Sequence, residues 1–271
     1  MTLSTFIEKL NLPEQTVFAV RQRPLPPEHH DLKTSFFEKS SHFMEFAKSD
    51  PDGLTVLCLY LHWAAETMER YEKMGIPEKY FWASMKDIAI WCEDYLEKYG
   101  VPGLQEWEWV GRSLRLEVFR IGRLQFEPRV LKQSVEFGGQ TYPSGTATLE
   151  VHIPAGEPLD TAEALAAMQQ APAFFLTYFG SSYRLFHCHS WLLSPDLRKF
   201  LPEHSRIMRF QDLFSVYKTD TEERQAEERI FGFLSEDPNA YPETTSLQKA
   251  AKEYMLAGQY IPMGSGIRTI E

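Results

Sequence analysis

Proton-transfer residues recur at alternate positions in two short segments of the chain. Glu150 and His152 stand two apart within residues 146–153, and His187 and His189 stand two apart within residues 183–193. Alternate side chains of a strand share a face. Thr146, Thr148, Glu150 and His152 therefore face one way, and Ala147, Leu149, Val151 and Ile153 the other. In the second segment His187 and His189 face opposite to Cys188 and Ser190. Imidazoles beside a carboxylate offer general acid–base chemistry near neutrality. His187 and His189, completed by Glu150 or His152, also compose a metal-ligand set. Cys188 between two imidazoles has the surroundings of a thiolate nucleophile. Beside these stand plainer readings: histidines hydrogen-bonded in a polar layer, and an inert buried thiol.

The elements that position these residues follow from periodicity. After Gly103 the pattern has period two: residues 114–120 read as a strand, Ile121-Gly122 as a tight turn, residues 123–127 as the returning strand, and residues 130–137 as a third. Residues 146–153 are the clearest strand. Asp160 or Thr161 caps a helix through about residue 178, which Pro172 is expected to kink. Residues 183–193 form the next strand, 195–201 a short helix, 207–217 a long strand, and 221–231 and 246–257 two more helices. Gly264-Ser265-Gly266 reads as a loop before a last short strand. The strand–helix–strand crossover implies a parallel pair, with a cleft where the two strands diverge at their carboxyl ends.

The first hundred residues read as helices. Ser4 caps a short helix through Leu10, which Pro13 closes. Pro24, Pro26 and Pro27 mark an extended linker beside His29 and His30, a pair without a third metal ligand at useful spacing. Residues 31–47 are a second helix, and Asp50-Pro51-Asp52-Gly53 a turn. Leu54, Leu57, Cys58, Leu61, Ala65 and Met68 recur at three and four, as do Phe81, Met85, Ile88, Cys92, Tyr95 and Tyr99, giving two long amphipathic helices, the first stopped by Gly75 and the second opened by Pro77 and ended by Gly100. The chain thus divides into a helical domain, residues 1–105, and a mixed-sheet domain, residues 106–271, an α+β architecture.

Composition narrows the partners. The 271 residues carry 38 acidic and 28 basic side chains, a net charge of −10, with 43% hydrophobic residues. That supports a sizeable core and disfavours nucleic acid or anionic lipid as a partner, leaving a small-molecule substrate. No apolar run is long enough for a membrane helix, and the start lacks the pattern of a signal peptide. Three widely spaced cysteines imply a reducing, cytoplasmic setting. A local basic excess (Arg112, Arg115, Arg120, Arg123, Arg129 and Lys132 against Glu117 and Glu127) would either attract an anion or form internal salt bridges. A Walker loop, HExxH, Gly-x-Ser-x-Gly and the Rossmann glycine fingerprint are all missing from the sequence.

The order of elements resembles the GNAT acyltransferase fold. More narrowly, three segments resemble a bacterial acyltransferase-domain family with a helical N-acyltransferase N-terminal domain and a GNAT-like C-terminal domain. They are Trp109-Val110-Gly111-Arg112-Ser113-Leu114-Arg115-Leu116-Glu117-Val118-Phe119-Arg120-Ile121-Gly122-Arg123-Leu124-Gln125-Phe126, Leu149-Glu150-Val151-His152-Ile153-Pro154-Ala155-Gly156-Glu157-Pro158-Leu159 and Cys188-His189-Ser190-Trp191-Leu192-Leu193. The resemblance spans almost the whole chain. It implies an acyl-CoA-dependent N-acyltransferase acting on an amine, with acyl-CoA as co-substrate and without a metal. The acyl-CoA would enter where the strands bearing Glu150 and Cys188 part, along Ile153, Ala155, Gly156 and Ser190. His152 or His189 would be the general base, with Glu150, Glu117 and His187 as alternatives. GNAT enzymes hold the CoA pyrophosphate on a loop written Gln/Arg-x-x-Gly-x-Gly/Ala. Residues 154–160 keep Gly156 but lack the leading basic residue and second glycine, while Glu157 opposes phosphate and Pro158 lacks an amide donor. A second reading follows from that departure: a non-catalytic GNAT-like binding protein.

Overall fold

The computed structural model describes residues 2–270 and divides the chain into two compact units. One comprises residues 2–121 with 154–156, the other residues 122–153 with 157–270.

The first unit is built from seven helices, α1 (Leu3–Leu10), α2 (Glu14–Gln22), α3 (His29–Glu38), α4 (Ser41–Ser49), α5 (Leu54–Lys73), α6 (Glu78–Tyr99) and α7 (Trp107–Leu114), followed by a short strand β1 (Phe119–Ile121). Thr2, rather than Ser4, caps α1, its hydroxyl accepting from the Thr5 amide. Pro13 opens α2 instead of merely closing α1: a proline lacking N–H costs little where helix donors have no partner anyway. The single helix expected over residues 31–47 is two, because Lys39 turns left-handed (φ 58°) between α3 and α4. The apolar stripes of α5 and α6 make the core: Leu57, Cys58, Leu61, Phe81, Met85, Ile88 and Cys92 are all buried. Each such burial of a large side chain contributes about 1.5–3 kcal/mol. The α6 stripe faces inward only to Cys92, and Tyr99 at its end is 47% exposed. Rings of Phe36, Phe43, Tyr60 and Trp63 pack together. Gly53 starts α5 at φ 63°, where a β-carbon would lie 2.0 Å from the Leu104 carbonyl oxygen; only glycine fits there.

The strand expected over residues 114–120 shrinks to β1. Trp107, Val110, Gly111 and Leu114 have helical spacing and form one side of α7, and Leu116 (φ 60°) turns the chain out of it.

The second unit holds β2 (Leu124–Val130), β3 (Val135–Phe137), β4 (Gln140–Tyr142), β5 (Ala147–His152), α8 (Thr161–Phe179), β6 (Leu185–Ser190), α9 (Arg206–Gln211), β7 (Ser215–Asp220), α10 (Gln225–Phe231), α11 (Ser246–Leu256) and β8 (Met263–Thr269). Its main strands run β2-β5-β6-β8-β7 across the sheet. Only β5 and β6 among them pair parallel, joined by α8, and the other pairs are antiparallel. α8 continues through Pro172 as one helix and packs on β2. The expected strand over residues 130–137 splits, and its latter part pairs with β4 in a small hairpin. That hairpin supplies Val135 and Tyr142 to an apolar cluster with Leu131, Leu185 and Ile267, and Phe137 and Tyr217 pack on it. The expected strand over residues 207–217 begins as α9, capped by Ser205, and becomes β7 only at Ser215. Residues 264–266 lie inside β8 in mid-sheet rather than in a loop. A second cluster of Leu197, Met208, Ile230, Tyr241, Ala251 and Met255 ties α9, α10 and α11 together.

Candidate active site

The site grows from the parallel pair. The β5–β6 register runs Thr148↔Leu185, Leu149↔Phe186, Glu150↔His187, and there the ladder stops. β5 continues to His152 and β6 to Ser190. Two adjacent parallel strands therefore part at their carboxyl ends. One sheet face carries the polar residues of this region: Glu127 opposite Glu150, Gln125 opposite His152, and His189 opposite Ser265.

Each histidine has its own partner. His187 Nδ1 lies 2.5 Å from Glu150 Oε2, and its Nε2 lies 2.9 Å from the Tyr217 hydroxyl. An ionised carboxylate only accepts, so Nδ1–H donates to Glu150, while Nε2 shares a hydrogen bond with the Tyr217 hydroxyl. His189 Nδ1 lies 2.8 Å from Ser265 Oγ, with Glu223 Oε1 at 3.8 Å from its Nε2. His152 Nε2 lies 3.2 Å from Oε2 of the buried Glu127, whose other oxygen pairs with Arg129 at 2.6 Å. Glu150 is the electrostatic centre of the group. Burial raises its carboxyl pKa, but the hydrogen bond from His187 and the charges of His187, His152 and His189 outweigh that and hold it below the usual range. Burial and the Glu150 charge push the Tyr217 phenol up, so it keeps its proton.

The remaining candidates fall elsewhere. Glu117 lies in the first unit, paired with Arg115 and Lys39 at 2.8 Å each. Those hydrogen bonds overcome its burial and lower its pKa, which makes it a weak base. Cys188 is fully buried on the opposite face, and desolvation followed by the Glu150 charge drives its thiol well above the ordinary range. A nucleophilic thiolate is not available there. Among the described residues no group of three or more His, Cys, Asp or Glu is arranged to hold a metal ion. Ser190 is buried and caps the turn Trp191–Leu193 by accepting from the Leu192 amide at 3.2 Å. Ile153 follows β5 directly, while Ala155 and Gly156 are exposed, with Gly156 at φ 84°.

The loop before α8 is held by the protein itself. Arg123, buried, donates from Nε to the Pro158 carbonyl at 2.8 Å and from Nη2 to the Glu157 carbonyl at 2.7 Å. Asp160 accepts from the Ala162 and Glu163 amides at 2.8 and 3.0 Å. The first amides of α8 thus already face a carboxylate. The basic excess of residues 110–135 is largely engaged internally: Arg115 with Glu117, Arg129 with Glu127, Arg123 with main-chain carbonyls.

Four residues of this cluster had no role in the sequence reading: Glu127, Tyr217, Glu223 and Ser265. Glu127 was recoverable, because it alternates with Gln125 on the polar face of β2. Tyr217 was hidden by a bulge at Val216/Lys218, and Ser265 by its two flanking glycines.

Comparison with known families agrees with this architecture. The N-acyltransferase N-terminal domain matches residues 1–116 and the GNAT-like C-terminal domain matches residues 118–268. The chain belongs to the acyltransferase family that joins these two domains, as its resemblance implied. No curated protein matches it. Similar solved structures include an acyltransferase in complex with decanoyl-CoA (22% identity, TM-score 0.79). Others are an acyltransferase with decanoyl-CoA and teicoplanin (21%, 0.78) and one with CoA and 10C-teicoplanin (20%, 0.79). Each match covers 99% of this chain and 87% of the other. These likenesses establish the fold.

Proposed function

We propose that the protein is an acyl-CoA-dependent N-acyltransferase acting on a small amine, with His189 as general base and His152 as the second choice. The observation that carries this reading is the parting of β5 and β6 beyond Glu150↔His187, with histidines on both diverging ends. Main-chain groups past the last pair suit an extended pantetheine arm, which can join a strand edge. The acyl-CoA bound by structurally similar acyltransferases supports the same donor.

In the reaction the acceptor nitrogen attacks the thioester carbonyl. The new N–C bond forms, the C–S bond breaks, the amine proton goes to His189 Nε2, and the CoA thiolate leaves and takes that proton from the His189 imidazolium. Glu150, Glu127 and Glu223 give the surroundings a negative potential that attracts a cationic amine. For the setting we propose the cytoplasm of a bacterium. Three buried, unbridged cysteines fit a reducing compartment, and no helix among the described residues is long and apolar enough to cross a membrane.

The loop over residues 154–160 supports the second reading, a GNAT-like protein that binds without turnover. Glu157, Pro158 and Asp160 make a poor pyrophosphate cradle, so the pyrophosphate needs another grip. Melting with acetyl-CoA, decanoyl-CoA and free CoA tests binding: a ligand at a hundredfold its Kd stabilises by about 2.7 kcal/mol. Release of CoA with a panel of amines then separates enzyme from binder. No shift with any of the three ligands refutes the donor. A shift without CoA release favours the binder.

A further inference from the structure

The carboxylates around the histidines are not alike. Glu150 is mostly buried and bonded to His187, and Glu127 is buried between His152 and Arg129. Both are committed to holding the site together. Glu223 is different. Its side chain is 58% exposed, and among the described residues its carboxylate makes no hydrogen bond and meets no lysine or arginine. The charged group it faces is His189, whose Nε2 lies 3.8 Å from Glu223 Oε1. That is beyond a direct hydrogen bond in any protonation state of the ring. His189 Nδ1 is taken up by Ser265 at 2.8 Å, so Nε2 is the nitrogen turned toward Glu223.

The gap between the two groups suits one nitrogen atom. A nitrogen hydrogen-bonded at about 2.9 Å to both partners stands between them, and a tetrahedral angle at that nitrogen asks the exposed carboxylate to swing out by only about 1 Å. The main chain under Glu223 is fixed meanwhile. Tyr260 donates its hydroxyl to the Glu223 carbonyl at 2.7 Å, which ties the segment after β7 to the one before β8. The Glu222 amide bonds Asp220 Oδ1 at 2.8 Å. Arg224 forks onto both oxygens of the buried Glu227, at 2.8 and 2.7 Å. Glu227 also accepts from the hydroxyl of buried Tyr241, which stacks on Phe231 with ring centres 4.0 Å apart. A carboxylate without a committed partner thus stands on a fixed backbone, in front of the imidazole nitrogen that faces out of the sheet.

We propose that Glu223 binds the acceptor. Its carboxylate takes the ammonium group of an alkylamine and sets that nitrogen beside His189 Nε2. This rests on the reading of His189 as the base of an acyl transfer, and it adds the class of acceptor: an amine cationic near neutral pH, not an alcohol or an arylamine. Such an acceptor sheds two protons. One leaves to solvent past the exposed Glu223 as the free amine forms, and the other passes through His189 to the thiolate.

The test uses the full chain labelled with ¹⁵N-histidine, with the His189 ring signals assigned by their loss in His189→Gln. In the presence of CoA, titration with benzylammonium should move those signals, and benzyl alcohol should not. Glu223→Gln, checked for a native melting transition, should abolish the benzylammonium response, and Glu223→Asp should keep part of it. With acyl-CoA and the amine that releases CoA fastest, Glu223→Gln should raise KM for the amine about five- to twentyfold, the size of a charged hydrogen bond at a half-exposed position. KM for acyl-CoA should stay as it is, and the rise should shrink at high salt. His189 signals that benzylammonium leaves unmoved in the wild type, or moves equally in Glu223→Gln, overturn the proposal. So does a variant in which only kcat and its pH profile change, since Glu223 is then an ion-pair partner of His189 and not a ligand of the acceptor. A Glu223-dependent benzylammonium response without CoA release from any amine refutes the transfer reading and leaves the ammonium site standing.

Discussion

Replacing Gly264 with alanine adds one methyl group to the middle of a sheet, and the structure gives the size of the penalty. Gly264 lies within β8, without the positive φ that would itself forbid a side chain. The cost is therefore steric. The new carbon would meet the Leu193 carbonyl oxygen at 2.2 Å, its carbon at 2.5 Å and Leu193 Cβ at 2.9 Å. Ordinary contact begins near 3.4 Å, so the turn Trp191–Leu193 must retreat by roughly 1 Å. The colliding atoms are mostly backbone, and no rotamer change relieves them. Overpacking of this kind costs about 1–3 kcal/mol, and a main-chain clash belongs at the upper end. For a domain of this size that is a fall in Tm of about 6–12 °C. Differential scanning calorimetry measures the shift, and Ser265→Ala serves as a control that alters the same strand without adding an atom. Because the displaced turn follows His189 directly, Gly264→Ala should also lose CoA release with an amine acceptor. A drop below about 2 °C with activity retained would refute the argument that this glycine exists to admit the Leu193 backbone.

Other consequences follow from single residues. Asp160→Ala removes the cap of α8 and should cost about 1 kcal/mol, read as a lower denaturation midpoint. Asp160→Asn should keep most of that stability and, if CoA phosphates approach this helix end, tighten acyl-CoA binding by calorimetric titration. The depressed Glu150 pKa stabilises the fold above the ordinary carboxylate value of 4.5 and ceases to do so as pH falls through the lower folded value. Glu150→Gln should accordingly be less stable than wild type at pH 7 by about 1.5–3 kcal/mol, with the gap closing in urea titrations run below about pH 4.5. Burial pushes the Cys58 thiol up to about 12 and raises those of Cys92 and Cys188 as well. A thiol-reactive dye should label none of the three in the native protein and all three in urea; rapid native labelling at Cys188 would contradict its burial.

What the sequence revealed depended on whether local pattern and tertiary role agreed. The alternation through Leu149, Glu150 and Val151 and the stripes of α5 and α6 were legible because burial followed the periodicity. The adjacency of β5 and β6 followed from the crossover through α8, which leaves little other topology. Residues 114–120 alternate apolar and polar, yet Leu116 adopts a left-handed turn and only the last part extends. Ile207, Met208 and Phe210 looked like a strand, but the cap at Ser205 starts a helix of six residues. Gly264-Ser265-Gly266 was the most misleading segment. Glycine weakens strands in general, and its use here, room for a neighbouring backbone, depends on a turn some seventy residues earlier in the chain. Ser265 and Tyr217 were hidden for the same reason: their partners His189 and His187 come from a distant strand, and a bulge in β7 conceals the alternation of Tyr217.

The opening between β5 and β6 is made by main-chain register, not by the bulk of any side chain. Its shape is consequently insured against drift. Substitutions along its rim can retune which nucleophile is accepted or how fast a proton moves while the aperture itself survives, provided the three paired positions below it stay zipped. Such a division lets chains with about a fifth of their residues in common keep one scaffold, and it makes the rim, rather than the strands that create the gap, the place to re-engineer specificity.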